Sequence, residues 1–87
     1  MDLEQERLDM LAAAEEQRAR QVMQYQVDID NFTRAMAEIE AQEQPEPGMG
    51  EFFIRLRELL ASTRIEQAKE RIMLKVVKDQ LEEVKCM

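Results

Sequence analysis

Apolar residues recur at every third and fourth position along most of this chain of 87 residues, the spacing of an α-helix that turns one face inward. From Val22 they run Val22, Tyr25, Ile29, Phe32, Met36 and Ile39, in steps of 3, 4, 3, 4 and 3. Such steps make a coiled-coil seam, and these six residues are the expected core of a helical hairpin. Carried toward the N-terminus, the same register puts Glu15 and Arg18 in the seam. The stripe is therefore expected to drift onto Ala12 and Ala19, where small side chains permit close approach of another backbone, before it reaches Leu8 and Leu11.

The pattern stops once. Gln44-Pro45-Glu46-Pro47-Gly48-Met49-Gly50 gathers both prolines and both glycines, and no helix continues through it. On either side lie Ala, Glu, Gln, Leu, Arg, Lys and Met, which lose little entropy in a helix. The spacing predicts a single all-α domain: a helix over 2–43, a connector over 44–50 and an antiparallel helix over 51–85. Asp2 with Gln5 three residues on reads as a capping box that starts the first helix. Asp28 to Asn31, and Ser62-Thr63 with Glu66, are places where either helix could break and restart, giving a bundle of three or four shorter helices.

The second helix carries too many apolar residues for one neighbour. At about 100° per residue, Ile54, Ala61, Ile65, Ala68, Ile72 and Val76 form one stripe. Phe52, Leu59, Met73, Val77, Leu81 and Val84 form another roughly 140° away. A single antiparallel helix covers one of them. The second set is assigned to partner binding and the Val22 to Ile39 seam to the hairpin itself, although the roles of the two stripes can be exchanged. At ~1.5 Å per residue the two helices are about 63 and 53 Å long, so a simple hairpin would leave one end unpaired.

Charge and composition narrow the function. Aromatic residues make up 5% of the chain and charged residues 36%, which suits a helical protein better than a sandwich or a catalytic pocket. The net charge of −7 belongs to one half: residues 1–44 hold 11 acids against 4 arginines, whereas residues 45–87 hold 8 against 8. Phosphate backbones would repel the first half, so nucleic acid is not an expected partner. No run of 18 apolar residues is present, and Met1-Asp2-Leu3-Glu4 is acidic where an export signal would be basic, so a cytoplasmic protein with no membrane span is expected.

Candidate chemistry is sparse. Without histidine, neither Cys86 nor Ser62 has a general base, and no catalytic residue, small-molecule substrate or cofactor is expected. Asp28-Ile29-Asp30-Asn31 opens like a calcium loop but lacks the turn glycine and the closing glutamate, and one thiolate cannot build a zinc site, so no metal is expected. Gly48-Met49-Gly50 lacks the strand and lysine of a phosphate loop and reads as a turn in which glycine supplies positive φ. Of the methionines, Met36 falls in the seam, while Met10, Met23, Met49 and Met73 lie off it and could serve an adaptable surface. Acids and bases alternate through Arg55, Arg57, Glu58, Glu66, Lys69, Glu70, Lys78 and Glu82, which reads as a solvated face.

The opening Met1-Asp2-Leu3-Glu4-Gln5-Glu6-Arg7-Leu8, the acidic first helix, and Ile65-Glu66-Gln67-Ala68-Lys69-Glu70-Arg71-Ile72-Met73 running into Val76-Val77 resemble the small helical-hairpin co-chaperones of bacterial type III secretion. The likeness touches about half the chain and has no diagnostic motif. The first helix looks longer than in that family, and the Pro-Glu-Pro-Gly connector departs from it. The resemblance implies a protein that binds a tetratricopeptide partner and, with it, keeps needle subunits from polymerising in the cytosol.

Three readings follow. The first is a non-enzymatic, acidic helical chaperone or adaptor that binds and solubilises another helical protein. The second is a homodimeric four-helix bundle, structural or regulatory and of phage type, in which the Val22 to Ile39 seam pairs with its own copy. The third is an acidic mimic of DNA that blocks a DNA-binding protein, disfavoured because Arg7, Arg18, Arg20 and Arg34 interrupt the acids.

Overall fold

A computed structural model describes residues 2–86. The chain forms two helices, α1 (Leu3–Glu40) and α2 (Met49–Lys85), packed side by side as an antiparallel hairpin. The rod measures 66 × 16 × 15 Å, with a radius of gyration of 19.4 Å. A compact chain of this length would have a radius of about 12 Å. Its accessible surface is 6901 Å², against about 5,400 Å² expected of a globular monomer of this mass. The fold leaves surface uncovered.

Local chemistry sets the helix ends. The Asp2 carboxylate accepts from the backbone N–H of Glu4 at 3.0 Å and of Gln5 at 3.4 Å, and Glu4 and Glu6 complement the positive end of α1. The reciprocal half of the expected capping box does not form, because the Gln5 amide donates forward to Asp9 at 3.0 Å. At the other end α1 stops at Glu40, three residues earlier than expected. Glu38, Glu40 and Glu43 crowd the negative end of the helix dipole with no cation in its last turn, and Pro45 keeps Gln44 out of helical geometry.

α2 in turn starts two residues early, at Met49. The Met49 N–H donates to the Glu46 carbonyl at 3.2 Å, and Gly48 has φ 93° and ψ −11°. Pro47 followed by a glycine at those angles is a type II turn, and it feeds directly into the helix, since the Phe52 N–H donates to the Gly48 carbonyl. Only Gly48 needs positive φ; Gly50 sits in the first turn of α2. These shifts leave helices of 38 and 37 residues, so neither end is left unpaired as the expected lengths implied. Neither glycine has an atom within 4 Å of where a Cβ would sit. Gly48→Ala should therefore lower stability by about 1 kcal/mol through backbone strain, and Gly50→Ala should raise it by ~0.4–1 kcal/mol. Urea unfolding measures both, and effects of the same sign would contradict this turn.

Both helices run unbroken through the places where a restart was considered. The groups that could cap a new helix bond within the existing one. Gln24 donates to Asp28 and Gln26 to Asp30, both at 3.1 Å, and the Thr33 hydroxyl donates to the Ile29 carbonyl at 2.8 Å. The Ser62 hydroxyl donates to the Leu59 carbonyl, while Glu66 pairs with Lys69 rather than capping toward Thr63.

The seam of α1 keeps strict heptad steps from Leu8 to Ile39. Ile29 is buried, and Val22, Tyr25, Phe32, Met36 and Ile39 are half-buried. The drift expected near the N-terminus does not occur: Glu15 and Arg18 stay in the seam, half-buried, and Ala12 and Ala19 are exposed. Arg18 can occupy a seam position because Glu70 of α2 meets it at 2.9 Å.

Candidate functional site

The two faces of α2 decide which surface is free to act. Its inward face steps by 4 and 3 through Met49, Phe53, Leu56, Leu60, Thr63, Gln67, Glu70, Leu74, Val77, Leu81 and Val84, every one buried or half-buried. Leu56, Val77 and Leu81 are the best-buried apolar side chains of α2, at 4%, 7% and 6% exposed. The middle of this seam is polar. The Gln67 amide donates to the Val22 carbonyl at 3.2 Å and to the Gln26 side chain at 3.0 Å, and Arg18 reaches Glu70 next to it. Such a layer fixes register, since a slip of one heptad would remove the cation from Glu70, whose second oxygen is already buried without a partner.

This corrects the division of the two stripes. Val77 and Leu81 lie buried in the hairpin seam, Val84 is half-buried in it and Leu59 half-buried beside it, so they are not the uncovered stripe. Only Phe52 and Met73 of that set are exposed. The physical reason is the connector: with Met49 as the first residue of α2, the Pro47-Gly48 turn sets the helix down with Phe53 and Leu56 facing α1. The same register brings Met49 into the seam, half-buried, whereas Met10, Met23 and Met73 are exposed; Met1 and Met87 lie outside the described residues.

The uncovered stripe is the other one. Ile54, Ala61, Ile65, Ala68, Ile72 and Val76 are all exposed, with Ile65 at 58% and Ile72 at 64%. They lie on the side of α2 opposite the seam, and from Ile54 to Val76 the helix rises about 33 Å. A soluble helix ordinarily turns charged residues to that side. Here Ile65 and Ile72 sit where a solvated helix would place Glu or Lys, and Glu58 and Asp79 occupy the same row one turn pair beyond them at either end. The outward side of α1 differs. Its exposed apolar residues, Leu3, Met10, Met23 and Val27, are scattered among Asp9, Glu16, Arg20 and Asp30 and form no stripe.

What this surface offers chemically is apolar area on a rigid support. Among the described residues no group of three side chains is placed to hold a metal ion, and no helix is long and apolar enough to cross a membrane. The signal that sequence reasoning missed is the polar seam itself: Thr63, Gln67 and Glu70 continue the register of Leu56 and Leu60, and folding the chain about Gly48 puts Arg18 across from Glu70. No protein family, no curated protein and no solved structure matches this chain.

Proposed function

We propose that this protein is a non-enzymatic interaction module, a helical adaptor or chaperone that holds another helical protein against the outward face of α2. One observation carries the reading: a stripe of isoleucine, alanine and valine from Ile54 to Val76 stays exposed after the hairpin has covered its own seam. A helix laid along that stripe would bury it by the same heptad packing that joins α1 to α2. The resemblance to type III secretion co-chaperones gives the reading a specific form, in which the partner is a helical protein that would assemble prematurely if left uncovered. The negative charge of residues 1–44 then keeps the complex apart from its neighbours.

A homodimer built on the Val22 to Ile39 seam finds less support, because that seam is occupied by α2 of the same chain and Ile29 is 8% exposed. The test is affinity capture at native expression level followed by sizing. The reading expects a stoichiometric complex with a helical protein, and a chain that passes through alone at 10.3 kDa contradicts it.

A further inference from the structure

The cations of α2 fall into two groups. Arg55, Lys69 and Lys75 each pair with a carboxylate on the same helix, Glu58, Glu66 and Asp79, at 3.5, 3.0 and 3.0 Å. The remaining five, Arg57, Arg64, Arg71, Lys78 and Lys85, are spaced by seven residues without exception, all exposed, and none is ion-paired among the described residues. Alternation of charge along the sequence conceals this row; on the helix surface Arg57, Arg64 and Arg71 have no acid three or four residues away, and Glu82 alone stands next to Lys78 and Lys85.

Packing of the hairpin explains why the row has no partner at home. In antiparallel packing, flanking rows face like rows. The Gln67 to Gln26 bond marks the edge on which the five cations lie. Along that edge, seven-residue steps on α1 give Gln5, Ala12, Ala19, Gln26 and Thr33, with no acid until Glu40 at the end of the helix. The opposite edge is closed more tightly, with Ala14, Gln21, Asp28 and Ala35 half-buried there. In a chain with 19 acids and a net charge of −7, five consecutive heptads of unpaired cations on one line are not a consequence of composition.

Next to the row, moving away from the seam, come Ile54, Ala61 and Ala68, and then Ile65 and Ile72. The exposed stripe thus has its own flanking charges, arranged as in a second coiled-coil seam on the back of α2. We infer that the occupant of this face is a helix of a different protein whose apolar heptad stripe is flanked by glutamate or aspartate every seventh residue. This inference rests on the reading above that the face docks a helix. The cations repeat every ~10.5 Å along the axis, which is the heptad repeat of a packed helix.

A second copy of the chain fits poorly. Two α2 helices packed antiparallel through this face would set the row of cations against itself. Packed parallel, they would set it against Arg55, Ser62, Lys69, Val76 and Glu83, which hold two cations and one acid. The outward side of α1 has acids at Asp9, Glu16 and Asp30 but no apolar stripe to pack. Nucleic acid fits poorly as well, since the acids of α1 stand about one helix diameter away and a phosphate backbone gains nothing from the isoleucines.

The experiment compares two synthetic peptides about four heptads long, each with Leu and Ile at alternating three- and four-residue steps, one flanked by Glu and the other by Lys. Their binding to the full chain is followed by calorimetry. The Glu peptide should bind at least about tenfold more tightly at low salt, with the ratio approaching one near 1 M salt. Arg64→Glu together with Arg71→Glu, both at exposed positions, should reverse the preference while leaving thermal unfolding unchanged. Ile65→Lys should weaken binding of both peptides. Equal affinities, or a preference that survives the double reversal, overturn the charge selection and leave the apolar docking face standing. Failure of both peptides to bind overturns the two together. A chain that sediments as a dimer, and as a monomer after Ile65→Lys, gives the face to a second copy and overturns the inference, as does tighter binding of duplex DNA than of the Glu peptide.

Discussion

Leu56→Ala should cost about 2–4 kcal/mol of stability, the loss of a buried leucine together with the cavity it leaves. Leu56 is 4% exposed, the lowest value in the core, and among the described residues no large side chain falls below 2%. A domain of this size has on the order of 4–13 kcal/mol in all, and so open a core places this one toward the lower end. The thermal midpoint should drop by roughly 10 °C or more. Ile65→Ala removes comparable side-chain area nine residues later but from a position 58% exposed. It should change stability by less than ~0.5 kcal/mol, since the surface has no cavity to leave and alanine favours the helix. Thermal and urea unfolding of the two variants side by side measures the contrast. Similar losses at both positions would mean that something covers Ile65 in the free protein.

The second large effect concerns binding. Ile65→Lys combined with Ile72→Lys puts two charges in the centre of the uncovered stripe, where a docked helix would have to desolvate them. The variant should keep the wild-type unfolding midpoint, because both positions are exposed, and lose about 2 kcal/mol or more of partner affinity, some thirtyfold. The same pair of substitutions at Val77 and Leu81 should instead unfold the hairpin. Partner retention measured by affinity capture, read beside the melting curve, separates loss of the surface from loss of the fold. Undiminished capture by the Ile65, Ile72 variant would place the docking surface elsewhere.

The sequence made some of this architecture plain and concealed the rest for a physical reason. The hinge was legible because Pro45, Pro47, Gly48 and Gly50 have few structural uses outside a turn. The seam of α1 was legible from Val22 to Ile39 because every step there is filled by an apolar side chain. In α2 the seam passes through Thr63, Gln67 and Glu70, three consecutive polar residues, while Ile65, Ala68 and Ile72 line the opposite side. Periodicity of hydrophobic residues follows the second set and loses the first. In α1 Glu15 and Arg18 mislead in the same way, and the stripe was expected to bend around them. Gln67 fits the seam once its bonds to Val22 and Gln26 are counted, and Arg18 and Glu70 once their pairing across the hairpin is. That pairing spans 52 residues of sequence and depends on the exact turn at Gly48. The row of cations from Arg57 to Lys85 was hidden among the alternating charges, and its meaning depends on knowing that α1 leaves it unpaired.

Docking on the back of the hairpin requires that α2 turn Val77 toward α1 and Ile72 toward solvent. Thiol labelling tests it directly in a Cys86→Ser background, since Cys86 is itself exposed and would react. A single cysteine is placed at position 72 or at position 77, and the rate of modification is followed in the purified protein. Ile72→Cys should react as a free thiol, and Val77→Cys at least about a hundredfold more slowly, limited by opening of the hairpin. Equal rates, or faster reaction at position 77, would contradict that orientation.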